Sequence, residues 1–188
     1  MSAVELEFKP QAKVNETGIV IFLISEFFLF GALFFVYYFL RVTSATWPPA
    51  DVHLSMIRPI LNTGILLTSS VTMALAVKAW RQANSRLMYR LLVITAALGV
   101  AFLGITFWEW TSETFRPWSH AYGSIFFTLT GFHALHVFGG VLLLAVLSKR
   151  ARKGLLNAPS RVIEMGSWYW HYVDIIWIMV FTTLFIVR

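Results

Sequence analysis

Apolar residues in this chain run in five long blocks, separated by short stretches rich in basic residues, proline or small polar side chains. The blocks extend from about Gly18 to Leu40, Pro59 to Lys78, Leu87 to Trp108, Ala121 to Leu147 and Trp168 to Val187. Each has roughly the 20 residues an α-helix needs to cross the hydrocarbon layer of a bilayer. In that layer every backbone N–H and C=O must be satisfied within the segment, so blocks of this length predict helices. The pattern predicts an all-α membrane protein, a bundle of five transmembrane helices in a single domain, with no room for a separate soluble one. Pro48 and Pro49 end the first helix, whereas Pro59 suits the opening turn of the second. The stretch Leu156-Asn157-Ala158-Pro159-Ser160 reads as a loop.

Composition agrees. The chain is 58% hydrophobic, 16% aromatic and 13% charged, which fits a membrane-embedded protein and excludes a disordered tail. It has no cysteine, so disulfides, thiolate nucleophiles, iron–sulfur clusters and Cys-based zinc or copper centres are all excluded. The polar, mixed-charge start lacks the basic region and short apolar core of a cleaved signal peptide. The first span is expected to act as its own retained insertion signal.

The net charge of +6 follows from topology. Lys9, Lys13, Lys78, Arg81, Arg86, Arg90, Lys149, Arg150, Arg152, Lys153 and Arg161 fall on one side of the five spans; only Arg41, Arg58, Arg116 and Arg188 fall on the other. The positive-inside rule then predicts the N-terminus inside and the C-terminus outside. Because the basic residues lie between apolar blocks, they give no sign of nucleic-acid binding. Trp47, Trp80, Trp108, Trp110, Trp118, Trp168 and Trp170 are expected near span ends, where the amphipathic indole prefers to sit.

The second span carries Asn62, Thr63, Thr68, Ser69, Ser70 and Thr72. Such small, hydroxylated side chains let helices approach closely and bond across their interface. Gly99, Gly104, Gly131, Gly139 and Gly140 are expected to do the same by close packing.

Ionisable groups inside the spans are costly and mark functional candidates. His133 and His136 are spaced i, i+3 near the middle of the fourth span, on one helix face. Three readings compete for them: a metal site, haem ligation, or hydrogen bonds to facing helices. Bis-histidine haem needs ligands on opposite faces of the porphyrin, yet these two differ by only about 4.5 Å in height. His53 and His120 fall in or beside loops, leaving His171 as the one mid-helix partner. A metal needs three or four convergent ligands. Glu109, at the outer end of the third span, and Glu26, in the inner half of the first, lie at different depths. Structural, hydrogen-bonded histidines are therefore the favoured reading. Glu26 is either a helix–helix contact or a lipid-facing, proton-exchanging carboxyl. His171 and Asp174, also i, i+3, are expected at the inner end of the fifth span, where they could bond to Glu26.

Taken in order, these clusters resemble subunit III of the haem–copper oxidases. The matching pieces are Ser25-Glu26-Phe27-Phe28-Leu29-Phe30, Leu61-Asn62-Thr63 with Ser69, Ser70 and Thr72, and Trp108-Glu109-Trp110. The most specific are Gly131-Phe132-His133-Ala134-Leu135-His136-Val137 with Gly139-Gly140, and Trp170-His171-Tyr172-Val173-Asp174 with Trp177. The resemblance implies an accessory, cofactor-free subunit of a proton-pumping terminal oxidase, in its short five-helix form without the family's first two helices. Haem and copper are then carried by partner subunits, with the catalytic subunit I and subunit II as neighbours, possible membership of a larger respiratory supercomplex, and membrane phospholipids around it. It also implies that Glu26 is the carbodiimide-reactive buried carboxyl and that Asn62, Glu109, His133, His136, His171 and Asp174 form internal bundle contacts. The implied location is a bacterial plasma membrane, and the implied role is support of the catalytic subunit's stability, proton supply and lipid or oxygen access. Cytochrome c is the expected electron donor of the complex. A quinol oxidase of the same superfamily is the nearest alternative, and a small proton-coupled transporter a more remote one.

Overall fold

The computed structural model describes residues 3–50, 52, 54–156 and 161–187, with side chains from Asn15 onward. His53, Asn157 to Ser160 and Arg188 lie outside the described residues, so the expected loop at 157–160 and the setting of His53 are not assigned. Five α-helices follow one another: α1 (Ala3–Thr43), α2 (Ile57–Arg81), α3 (Ser85–Ser112), α4 (Ala121–Arg152) and α5 (Val162–Phe181). A π-helical segment, Thr182–Ile186, continues α5. All five are long and apolar enough to cross a membrane.

The helix ends differ from the apolar blocks in instructive ways. α1 continues back to Ala3, well before Gly18. α5 begins at Val162, with Glu164 in its first turn, where a carboxylate favours the helix dipole. Trp170 therefore lies well inside the helix and is only 1% exposed. His171 and Asp174 likewise sit mid-helix, not at its end. Hydropathy marks where the apolar run begins, whereas the helix starts earlier, on residues that meet water and ion-pair partners.

Sharp connections set the bundle's geometry. Between α2 and α3 the chain turns through Ala83, with a positive φ of 55°, and Asn84 caps α3 by accepting from the Leu87 N–H at 3.1 Å. His120 caps α4 in the same way, its Nδ1 accepting from the Gly123 N–H at 2.8 Å. A side chain at position 123 would place Cβ 2.6 Å from the Arg116 carbonyl oxygen, so only glycine fits that tight entry.

α2 packs on α3 and α5, α3 on α4, and α4 on α5; α1 lies against α4 and α5. Only 11% of the most apolar window of α1 is buried, the lowest share of the five helices. At the end carrying the α2–α3 turn, Arg161 bonds Glu16 at 2.6 Å and Glu164 at 3.1 Å, and Arg81 bonds Glu164 at 2.8 Å. This network joins α1, at Glu16, to the ends of α2 and α5.

Candidate functional site

One local motif recurs at the helix interfaces. Thr63 on α2 donates to its own helix at the Pro59 carbonyl (2.8 Å) and accepts the Trp177 indole N–H from α5 (3.0 Å). Two turns on, Ser69 donates to the Leu66 carbonyl (2.7 Å) and accepts the Trp170 indole N–H (3.0 Å). Thr130 on α4 donates to the Phe126 carbonyl (2.8 Å) and accepts from Trp110 on α3 (3.1 Å). Each hydroxyl has one hydrogen and spends it on its own backbone, which turns its lone pair towards the neighbour. An indole offers one N–H and nothing else, so the match satisfies both groups without water. Asn62 Nδ2 donates to Thr106 Oγ1 at 3.1 Å, and the Thr72 and Thr95 hydroxyls lie 2.8 Å apart, joining α2 to α3.

Trp170 is seated between two glycines. A Cβ at Gly99 would fall 2.8 Å from the Trp170 ring, and one at Gly140 would fall 2.7 Å from it. Gly139 meets the Tyr169 hydroxyl in the same manner, at 3.3 Å. Gly104 and Gly131, expected to serve close packing as well, have nothing within 4 Å of such a Cβ. Their faces are open, and no approach of a neighbour requires glycine there.

The two histidines of α4 have different surroundings. His136 Nε2 is 2.9 Å from Glu26 Oε2 on α1, and its Nδ1 is 2.7 Å from the Phe132 carbonyl oxygen. A carbonyl only accepts, so Nδ1 carries hydrogen, and one further proton is shared between Nε2 and the carboxyl. Whichever atom holds it, the pair is neutral overall. Tyr169 donates to the His136 carbonyl at 2.9 Å, and the Phe30 ring meets the imidazole edge-on at 5.1 Å. The pair sits about midway along both helices.

His133, expected to be hydrogen-bonded, is instead fully buried among aromatic rings. Phe102 lies 5.4 Å away and Trp177 5.1 Å, centroid to centroid. Neither ring nitrogen has a hydrogen-bond partner among the described residues. The three-residue step turns the side chains through about 300°, enough to send one towards α1 and the other towards α3 and α5.

His171 does not reach Glu26, as the sequence had suggested it could. Its Nδ1 hydrogen-bonds with Ser70 Oγ at 2.7 Å, and Asp174 Oδ2 is 3.8 Å away, beyond hydrogen-bond length. Glu109 stands apart from all of these, buried near the end of α3. Its neighbourhood includes Glu113 and Arg58, and Arg58 lies over the Trp108 ring at 4.9 Å. Burial holds the Glu113 carboxyl above its ordinary range, against the opposing pull of Arg58. Among the described residues no three of His, Cys, Asp and Glu gather where a metal ion could be held.

The family model for cytochrome c oxidase subunit III matches residues 9–187. The chain belongs to the cytochrome c oxidase subunit III family. It is 39% identical over 171 residues to cytochrome c oxidase subunit 3 of Thermostichus vulcanus, covering 90% of this chain and 85% of that protein. It is 34% identical over 176 residues to the subunit 3 of Branchiostoma lanceolatum, and 35% to that of Dugong dugon, in both cases over 89% of this chain and 67% of the relative. A subunit III protein with five spanning-length helices is an integral membrane protein, and the family name places its members in a multisubunit oxidase.

Within this subunit III chain, three features escaped the reading of the sequence. The indole–hydroxyl pairs needed knowledge of which helices face each other. The Glu109, Glu113 and Arg58 group was visible only as an i, i+4 pair of acids next to a span end. The seat of Trp170 had a signal in Gly99 and Gly140, though nothing in the spacing named the side chain that fills it.

Proposed function

We propose that this chain is the accessory, non-catalytic and cofactor-free subunit of a respiratory terminal oxidase that reduces O2 to water and pumps protons. Haem and copper then reside in the catalytic subunit I and in subunit II. The family match across residues 9–187 carries the reading. The geometry supports it: His136 is engaged by Glu26 and the Phe132 carbonyl, while His133 is enclosed by Phe102 and Trp177. Neither imidazole is presented to an open coordination position, and the pair point apart.

In this reading the chain orients its N-terminus inward and its C-terminus outward in a bacterial plasma membrane. It supports the catalytic subunit's stability, its proton supply and the access of lipid and oxygen. The Glu26–His136 pair keeps one exchangeable proton near mid-membrane without a net charge. The family's electron donor is cytochrome c, and the chain itself contacts no donor.

Purification of the tagged chain from native membranes in mild detergent tests the proposal. Oxidase subunits and a haem spectrum are expected to co-purify, and the spectrum is expected to vanish when the chain is dissociated. Haem bound tightly at one equivalent to the isolated chain would overturn it.

A further inference from the structure

Two buried oxygen acceptors lack a donor where α2 packs on α3, towards the end that carries Trp108. Asn62 on α2 is fully buried, and Glu109 on α3 is 1% exposed. Neither Asn62 Oδ1 nor Glu109 Oε1 has a hydrogen-bond partner among the described residues. The two belong to facing stripes of the helix pair. Asn62 Nδ2 holds Thr106 Oγ1 at 3.1 Å; Glu109 follows Thr106 by one turn, and Arg58 precedes Asn62 by one turn. The short turn at Ala83 makes α2 and α3 run in opposite directions, so Arg58 and Glu109 fall on the same side of that bond. Glu113, about one turn further along and 8% exposed, completes the group. Among the described residues, Arg58 from α2 and Glu113 are the charged groups that bear on Glu109, and Arg58 also bears on Glu113. The Arg58 guanidinium is seated over the Trp108 ring, and no ion pair among the described residues joins it to either carboxyl.

An ionised carboxylate and an amide oxygen can only accept, so acceptors buried in one place without a donor are short of a hydrogen. A proton on Glu109 supplies it, turning the carboxyl into a donor towards Asn62 Oδ1, directly or through one water. It also settles the charge. Two ionised carboxylates against one guanidinium would leave an uncompensated negative charge beside hydrocarbon, which is costly, whereas one bound proton leaves the group neutral. We propose that Asn62, Glu109, Glu113 and Arg58 form a second proton-holding site, separate from the Glu26–His136 pair, with one exchangeable proton on the Glu109 carboxyl. Glu113, the less buried acid, connects it to water. Uptake moves one proton from solvent to Glu113 and on to Glu109, release reverses both transfers, and no electron moves. Every residue of the site belongs to this chain, so it stands independently of the oxidase reading.

Infrared difference spectroscopy of the tagged chain, purified together with its natural partners, tests the site. At neutral pH the wild type is expected to show a C=O band of a protonated carboxyl that shifts in heavy water and is lost in Glu109→Gln. A spectrum unchanged by Glu109→Gln would overturn the proposal; an amide turned the other way would offer its NH2 to an ionised Glu109, and no such band would exist to lose. Where Glu109→Gln does not assemble, Asn62→Leu gives the reading, because loss of the acceptor is expected to move the band to higher frequency. A band that stays in place would overturn the pairing with Asn62. Glu113→Gln is expected to keep the band and slow its shift in heavy water several-fold, and an unaltered rate would overturn the role of Glu113. Buffers of sodium, potassium and choline separate a proton from a metal cation. The band is expected in all three, and a band confined to choline would show that a metal cation takes the site instead.

Discussion

Glu26 and His136 meet at 2.9 Å across the α1–α4 interface, and the Phe132 carbonyl on the far side of the imidazole determines which protons the pair can share. Replacing Glu26 by Gln preserves a hydrogen bond to the ring but removes the carboxyl. Carbodiimide labelling of the chain is expected to disappear, with haem content of the complex unchanged. Mass spectrometry of labelled peptides checks the first point and the visible spectrum the second.

The two histidines of α4 are expected to part company on mutation. His136→Leu leaves the half-buried Glu26 carboxyl without its partner and should lower stability by about 1–3 kcal/mol. His133→Leu replaces a ring that bonds to nothing described with an apolar side chain among Phe102 and Trp177, and should cost less than about 1 kcal/mol. Thermal unfolding in detergent of both variants distinguishes them. Equal losses would show that His133 has a partner of its own.

The seat of Trp170 gives a paired comparison among glycines. Gly99→Ala and Gly140→Ala bring a methyl to within 2.8 Å of the indole ring, and neither ring nor backbone can yield cheaply. A loss of about 1–3 kcal/mol is expected for each. Gly104→Ala and Gly131→Ala meet open space and should be neutral or stabilising by up to about 1 kcal/mol.

For the indole–hydroxyl pairs, a double-mutant cycle of Thr63→Val with Trp177→Phe isolates the interaction. The coupling is expected near 0.6 kcal/mol, roughly the average for hydrogen bonds within membranes. A coupling indistinguishable from zero would mean that the indole and hydroxyl are together by packing alone.

Glu113, beyond the end of α3, supplies a pH dependence. Its folded carboxyl holds its proton above the ordinary value of 4.5 because burial disfavours the charged form. Between that value and its raised one, the folded chain binds more protons than the unfolded chain, so stability falls as pH rises through the window. Glu113→Gln should flatten that part of the profile, as read from melting temperature against pH.

How far the sequence could be read follows from what each signal measures. Hydropathy locates five spans because crossing the hydrocarbon layer takes about 20 predominantly apolar residues. It misplaces the start of α5, since Arg161 and Glu164 are satisfied by ion pairs that no hydropathy window sees. Spacing tells which residues share a helix face, but not which neighbour that face meets. Hence Glu26 could be matched in advance with His171 and Asp174, while the structure matches it with His136. The i, i+3 step of His133 and His136 was legible; that it straddles the boundary between two interfaces was not. Of the hydroxyl-bearing residues of α2, Thr63, Ser69, Ser70 and Thr72 do bond across interfaces, because Ser and Thr can bond within and between helices at once, whereas Thr68 is exposed and bonds only its own helix at Gly64.

The sparse burial of α1 makes the surrounding bilayer part of the molecule's mechanics. Phe27, Phe28, Phe35 and Phe39 all project from the chain's own cover, while the opposite flank holds Glu26 against His136. Bilayers of different thickness set different helix tilts. The helix that meets the bilayer most fully is thus the one that carries Glu26 to its shared proton with His136.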